Sequence, residues 1–175
     1  MNVMKNIEIE KISLNIGTGK PGPELEKAKI LLERITGAKP CETITKKRLP
    51  SWNLRPGLVI GCKVTLRGKK AEEVLKTLLK AKDNKISYRA FDKKGNFSFG
   101  IKEYLDVPNL NYIPEVGIIG FEVAVSLQRK GFRIKRRVLQ PRKIPARHDI
   151  AKQDGMNYVK SLGVNVLEKE GAEEE

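Results

Sequence analysis

Leu58-Val-Ile-Gly-Cys-Lys-Val-Thr-Leu-Arg67 is the stretch on which the fold turns. Leu58, Ile60, Cys62, Val64 and Leu66 fall on one face of an extended chain, and Val59, Gly61, Lys63, Thr65 and Arg67 fall on the other. A strand with one apolar and one polar face covers a core on one side only. That is the habit of antiparallel sheets, whereas strands inside parallel sheets are apolar on both faces. Ile7, Ile9, Ile12, Leu14 and Ile16 repeat the pattern with one slip of phase at Glu10-Lys11, which predicts a β-bulge. Further strands are expected at Cys41 to Thr45, Ile86 to Phe91, Phe97 to Ile101 and Phe121 to Leu127, with a turn at Asp92 to Asn96.

Helical spacing occurs in two clear segments. Pro23 opens the first, Glu24 and Glu26 follow where the helix dipole favours acids, and Leu25, Ala28, Leu32 and Ile35 form an apolar stripe that stops at Gly37. Ala71, Val74, Leu75, Leu78 and Leu79 mark the second. Asp149 to Leu162 reads as a weaker helix interrupted by Gly155, and Val107 to Pro114 as an irregular connection. The expected class is α+β, a mostly antiparallel β-sheet with helices packed on one face and the other face open. Residues 1–128 are expected to form a single α+β domain and 129–148 a basic arm. A C-terminal helix and an acidic tail, 149–175, would belong to the same domain. The tail, Glu168 to Glu175, is expected to fray.

The 175 residues carry 35 Lys and Arg against 21 Asp and Glu, a formal charge of +14, and the excess is not spread evenly. Eight cations and no acid lie between Thr43 and Ala71; nine cations and no acid lie between Val123 and His148. Without those 17 the chain has net charge −3. Positive charge segregated from acid is the footprint of a polyanion partner, with nucleic acid the default, since a merely solubilising surface mixes both signs.

Other classes fit poorly. No apolar run approaches the roughly 20 residues of a membrane span, and Met1 to Lys5 leads directly into charged alternation rather than a secretory signal, so a cytoplasmic protein without a membrane partner is expected. Cys41 and Cys62 are too few for a disulfide framework or a metal knuckle, and Cys62 belongs to an apolar strand face. His148 is the single histidine, and no nucleophile, base and oxyanion set is evident, so neither catalysis, a metal nor a cofactor is expected. Gly17-Thr-Gly-Lys-Pro-Gly22 matches a dinucleotide fingerprint in letters only. Pro21 and Pro23 delay the helix and remove amides that a pyrophosphate would need.

Candidate contact residues come from the polar strand faces and the basic stretches. Lys11, Ser13 and Asn15 on the first strand and Lys63, Thr65 and Arg67 on the third would share the open face if those strands pair. Hydroxyls and amides suit 2′-OH and base edges, and cations suit phosphates. An ordinary solvated face is the alternative. Gly61 would let an RNA backbone approach closely. The loop from Lys46 to Gly57 holds Lys46, Lys47 and Arg48 and then Trp52, Asn53, Leu54 and Arg55. Trp52 could stack on a base or ribose, or anchor the loop on the core. The segment from Gly131 to Arg147, including Arg136 and Arg137, is expected to be extended and ordered by its polyanion rather than by its own packing. A free DNA-binding protein is the competing reading.

Five motifs then occur in order: Ser13-Leu-Asn-Ile-Gly-Thr-Gly19, Ile35-Thr-Gly-Ala-Lys-Pro40, Gly61-Cys-Lys-Val-Thr-Leu-Arg-Gly68, Phe91-Asp-Lys-Lys-Gly-Asn-Phe97 and Phe99-Gly-Ile-Lys-Glu103. Together they resemble the family of the universal large-subunit ribosomal protein number five over nearly the whole chain, and Asp83-Asn-Lys85, Asn96-Phe-Ser-Phe-Gly-Ile101 and the basic Gly131 to Arg147 arm favour its archaeal–eukaryotic branch. The resemblance implies a structural ribosomal protein in the central protuberance. Its partners would be 5S rRNA, other large-subunit rRNA, neighbouring central-protuberance proteins and a small-subunit head protein, and no homo-oligomer is expected. It also implies that Asn15, Thr65 and Arg67 lie in matching rRNA-contact motifs, and that the Lys46 to Gly57 loop reaches a P-site tRNA.

Overall fold

The computed structural model describes residues 2–108 and 110–167. Alternation in the sequence becomes five strands in one antiparallel sheet: β1 (Ile7–Gly17), β2 (Cys41–Ile44), β3 (Val59–Leu66), β5 (Phe97–Ile101) and β6 (Phe121–Arg129), in the order β2-β3-β1-β6-β5. β1, the longest, lies at the centre. The bulge falls where the phase slip predicts it. Ile9 pairs with Leu127 and Lys11 with Ser126, which leaves Glu10 as the extra residue, so Ile9 and Ile12 both reach the core although they are three apart.

Helices α1 (Pro23–Thr36) and α2 (Gly68–Lys80) cover the apolar face, α1 against β3 and α2 against β1. Leu25, Ala28, Leu31 and Leu32 of α1 and Ala71, Leu75, Leu78 and Leu79 of α2 are buried together with Ile12, Leu14, Val123 and Val125. Truncating a fully buried leucine such as Leu14 removes about 3 kcal/mol of stability through lost burial and the cavity left behind. At the sheet edge Lys29 of α1 donates to Glu42 of β2 at 2.6 Å, and that bond holds the ammonium above its usual pKa.

Two sequence expectations change in the fold. The strand expected from Ile86 to Phe91 shrinks to β4 (Lys85–Ser87), because Ser87 Oγ accepts the Arg89 N–H and turns the chain into a 3-10 helix at Tyr88–Ala90. β4 pairs in parallel with β7 (Asn165–Leu167), outside the main sheet. The C-terminal helix α4 (Lys152–Ser161) runs through Gly155 without interruption. A side chain there would collide with the backbone of Gly95, so the glycine marks where α4 crosses the 92–96 turn. Asp92 Oδ1 accepts the Lys94 and Asn96 N–H groups at 2.8 Å, and Asn96 Oδ1 accepts the Leu127 N–H at 3.0 Å, fixing that turn to β6. The acidic tail, Glu168 to Glu175, lies outside the described residues.

Candidate nucleic-acid interface

The register of the sheet assembles the open face. Ser13 pairs with Thr65 on one side and Ala124 on the other; Asn15 pairs with Lys63 and Glu122; Ala124 and Glu122 continue to Ser98 and Gly100. Period two puts their side chains opposite the buried set of Leu14, Val64 and Val123. Lys63, Thr65 and Arg67 are exposed, while Lys11, Ser13 and Asn15 are half-buried because the central strand is flanked on both sides. The six residues separated by about 50 positions in the chain are thus neighbours on one surface.

That surface is not free of acid. Glu122 stands beside Asn15, and Glu10, pushed out by the bulge, lies 3.9 Å from Arg67 Nη1. The period-two reading of β3 alone could not register acids contributed by β1 and β6. Gly61 also differs from expectation. A Cβ there would sit 2.5 Å from the Ile16 carbonyl oxygen and 3.0 Å from Thr43 Oγ1, so its missing side chain is needed for strand crowding and leaves no space for an RNA backbone. Gly100, on β5, has the open space instead.

The 45–58 loop is a small hairpin with its own bonds. Leu49 and Leu54 exchange N–H···O bonds at 3.0 and 3.1 Å, and Thr45 N–H and Oγ1–H donate to the Leu58 carbonyl at 2.8 and 3.1 Å. Asn53 turns the tip in the left-handed region at φ 53°. Trp52 is 70% exposed, so it does not anchor the loop on the core; Leu54, at 7%, is the inward residue. Lys46, Lys47, Arg48 and Arg55 are exposed around it, and none has a carboxylate partner among the described residues.

The second basic stretch behaves differently. Its middle, residues 137–145, has no helix or strand and leaves Val138 and Leu139 exposed, but both of its ends are tied by short bonds. Arg136, in the single-turn α3 (Arg133–Arg136), donates to Glu10 Oε1 and to Gln128 Oε1 at 2.6 Å each. Where the chain returns, His148 Nε2 meets the Lys130 carbonyl at 2.9 Å and the ring stands edge-on to Phe132. Arg129 donates to the Asp149 carbonyl at 3.1 Å and to Asp154 Oδ2 of α4 at 2.8 Å. Arg129, Arg136 and His148 therefore serve the architecture, while Arg137 is exposed and donates from Nε to the Gln140 carbonyl.

The glycine-rich 17–22 loop offers no cradle for a phosphate. Thr18 and Gly19 both direct their N–H groups to the Ile60 carbonyl, at 2.9 and 3.0 Å, so the amides close the end of β3. Cys62 is buried beneath the sheet, and that burial pushes its thiol pKa up; Cys41 is exposed at the edge.

Fold and surface together define an α+β scaffold that presents cations on a sheet face, a hairpin and a pinned arm. The chain belongs to the ribosomal protein L5 family: the family model described as Ribosomal protein L5 matches residues 2–55, and the model of the same family's C-terminus matches residues 59–158. It is similar to the large ribosomal subunit protein uL5 of Nanoarchaeum equitans, 46% identical over 166 residues, covering 94% of this chain and 98% of the relative. The corresponding protein of Sulfurisphaera tokodaii is 44% identical, with 96% of each covered, and that of Methanobrevibacter smithii 39%, with 95% and 99% covered. The chain is thus a structural, non-enzymatic constituent of the large ribosomal subunit, located with the ribosome in the cytoplasm. The two family segments meet beside the hairpin, yet the strand order interleaves them in one sheet.

Proposed function

We propose that the open sheet face receives 5S rRNA within the central protuberance and that the 45–58 hairpin reaches a P-site tRNA. The observation that carries the first part is the register setting Lys63 beside Asn15 and Thr65 beside Ser13. It gathers cations for phosphates with an amide and hydroxyls for 2′-OH groups and base edges on a surface clear of α1 and α2. Glu122 adds selectivity to that surface, since a carboxylate repels phosphate and accepts only from a base or sugar donor. For the hairpin, support comes from an exposed indole ringed by cations without carboxylate partners, which suits stacking on an unpaired base or ribose.

Replacing Asn15, Thr65 and Arg67 together by alanine lowers 5S rRNA affinity about a hundredfold, at about 1 kcal/mol for each hydrogen bond. Unchanged affinity in a filter assay, with an unchanged melting temperature, would remove the sheet face from the interface. Competition between 5S rRNA and duplex DNA at matched salt distinguishes this reading from general polyanion binding, because phosphate contacts alone do not prefer either. Substitution of Trp52 and Arg55 spares 5S binding and weakens tRNA crosslinking; loss of 5S binding instead would reassign the hairpin to rRNA.

A further inference from the structure

Between the pinned arm and the bulged part of the sheet lies a cleft of about 710 Å³, within the range of sites that hold small ligands. Lys11 enters it from β1, Lys135 from α3, and Arg142 and Lys143 from the returning arm; Phe132 and Ile144 supply apolar wall. None of these four cations has a carboxylate partner among the described residues. Lys94 and Arg136 also line it, so six cations face two acids, Glu10, paired with Arg136 at 2.6 Å, and Asp149, whose Oδ1 accepts the Ile150 N–H at 3.0 Å. The cleft therefore carries uncompensated positive charge beside an apolar surface, on a frame held at both ends.

We infer that this cleft is a binding site for one unstacked nucleotide of an RNA, its phosphate among Lys135, Arg142 and Lys143 and its base against Phe132 and Ile144. A flat cationic patch would serve any phosphate backbone, but a concave site with an apolar wall takes a group that has left the stack. Bulges and loops expose such nucleotides, and RNA-binding proteins read them by enclosing the base. Pinning of the arm before RNA arrives lowers the ordering cost of closing around the base. Glu10 and Arg136 act as positioning residues, since their bond holds α3 against the sheet and sets the width of the cleft. The inference rests on RNA being the partner but not on which RNA or on the sheet-face assignment.

The test compares two RNA hairpins of unrelated sequence, equal in length and closed by the same non-nucleotide linker so that neither loop exposes a base, one carrying a single-nucleotide bulge and one fully paired, with the full chain at matched salt. The bulged hairpin binds about tenfold more tightly, because only an extruded nucleotide can carry its phosphate into the concave site to Lys135, Arg142 and Lys143 while its base meets the apolar wall. Arg142→Ala with Lys143→Ala abolishes that preference. Arg133→Ala with Arg147→Ala removes the same charge from exposed positions outside the cleft and lowers affinity for both hairpins alike. Equal binding of the two hairpins, or a preference that survives in the Arg142/Lys143 variant, would overturn the site. Neither hairpin contains 5S sequence, so this outcome and that of the Asn15, Thr65 and Arg67 experiment are read separately.

Discussion

The two acid-free stretches, 43–71 and 123–148, are alike in composition and unlike in what their cations do. In the first, the backbone is satisfied locally by the hairpin bonds of the 45–58 loop and by the β3 ladder, so Lys46, Lys47, Arg48, Arg55 and Lys63 are left facing solvent. In the second, Arg129 and Arg136 reach carboxylates contributed by distant elements, Asp154 of α4 and Glu10 of β1, and become part of the frame. A run of positive charge thus divides into cations that hold the protein together and cations that remain for a partner. The division depends on which acids the fold delivers to each stretch.

The contrast between the stretches is broken most severely at Gly155. Gly155→Ala forces α4 off the 92–96 turn, because the new methyl meets the Gly95 backbone, and costs about 3 kcal/mol of stability. The arm, whose return is tied through Asp154 of the same helix, should be cut by trypsin faster than in the parent while cleavage in the 45–58 hairpin keeps its parental rate; thermal melts and limited proteolysis measure the two effects. Arg129→Ala follows at about 2 kcal/mol, from loss of the Asp154 pair and of the donors to the Asp149 carbonyl. Denaturant melts that show no loss would mean that Arg129 is as free as the hairpin cations.

Smaller effects sharpen the difference. Glu10→Gln removes the charge that holds Arg136 and costs about 1 kcal/mol, since Arg136 is partly exposed, yet it should raise the salt sensitivity of RNA binding by releasing a cation. Trp52→Ala stays within about 0.5 kcal/mol of the parent, because the ring contributes little to the core. The cysteines report on the scaffold beneath both stretches. Cys41 reacts with a thiol reagent in the native protein, and Cys62, buried and with its thiol pKa pushed up, reacts only on unfolding. Equal labelling rates would contradict the apolar placement of β3.

Much of the fold was legible because its signals are local. The alternation in β1 and β3, the phase slip at Glu10, and the stripes of α1 and α2 follow from side-chain periodicity, which neighbouring residues carry in full. Gly155 misled as a local signal, since its smallness answers the backbone of Gly95, 60 positions away. Gly61 misled in the same manner, through Ile16 and Thr43. The Ile86 to Phe91 segment has strand composition, but Ser87 caps a turn there and its strand partner lies near the end of the chain.

The candidate site shows the same boundary. Sequence by itself determined that the protein is an α+β fold with an open sheet face, that its charge excess is segregated, and which polar residues of β1 and β3 point away from the core. Periodicity and charge are properties of the chain in one dimension. Only the tertiary structure decided that Ser13 stands beside Thr65, that Glu122 joins Asn15, that Leu54 rather than Trp52 turns inward, and that the arm is pinned around a cleft. Those outcomes depend on strand register and on ion pairs between residues far apart in the chain, such as Glu10 and Arg136, which meet only once the core has packed.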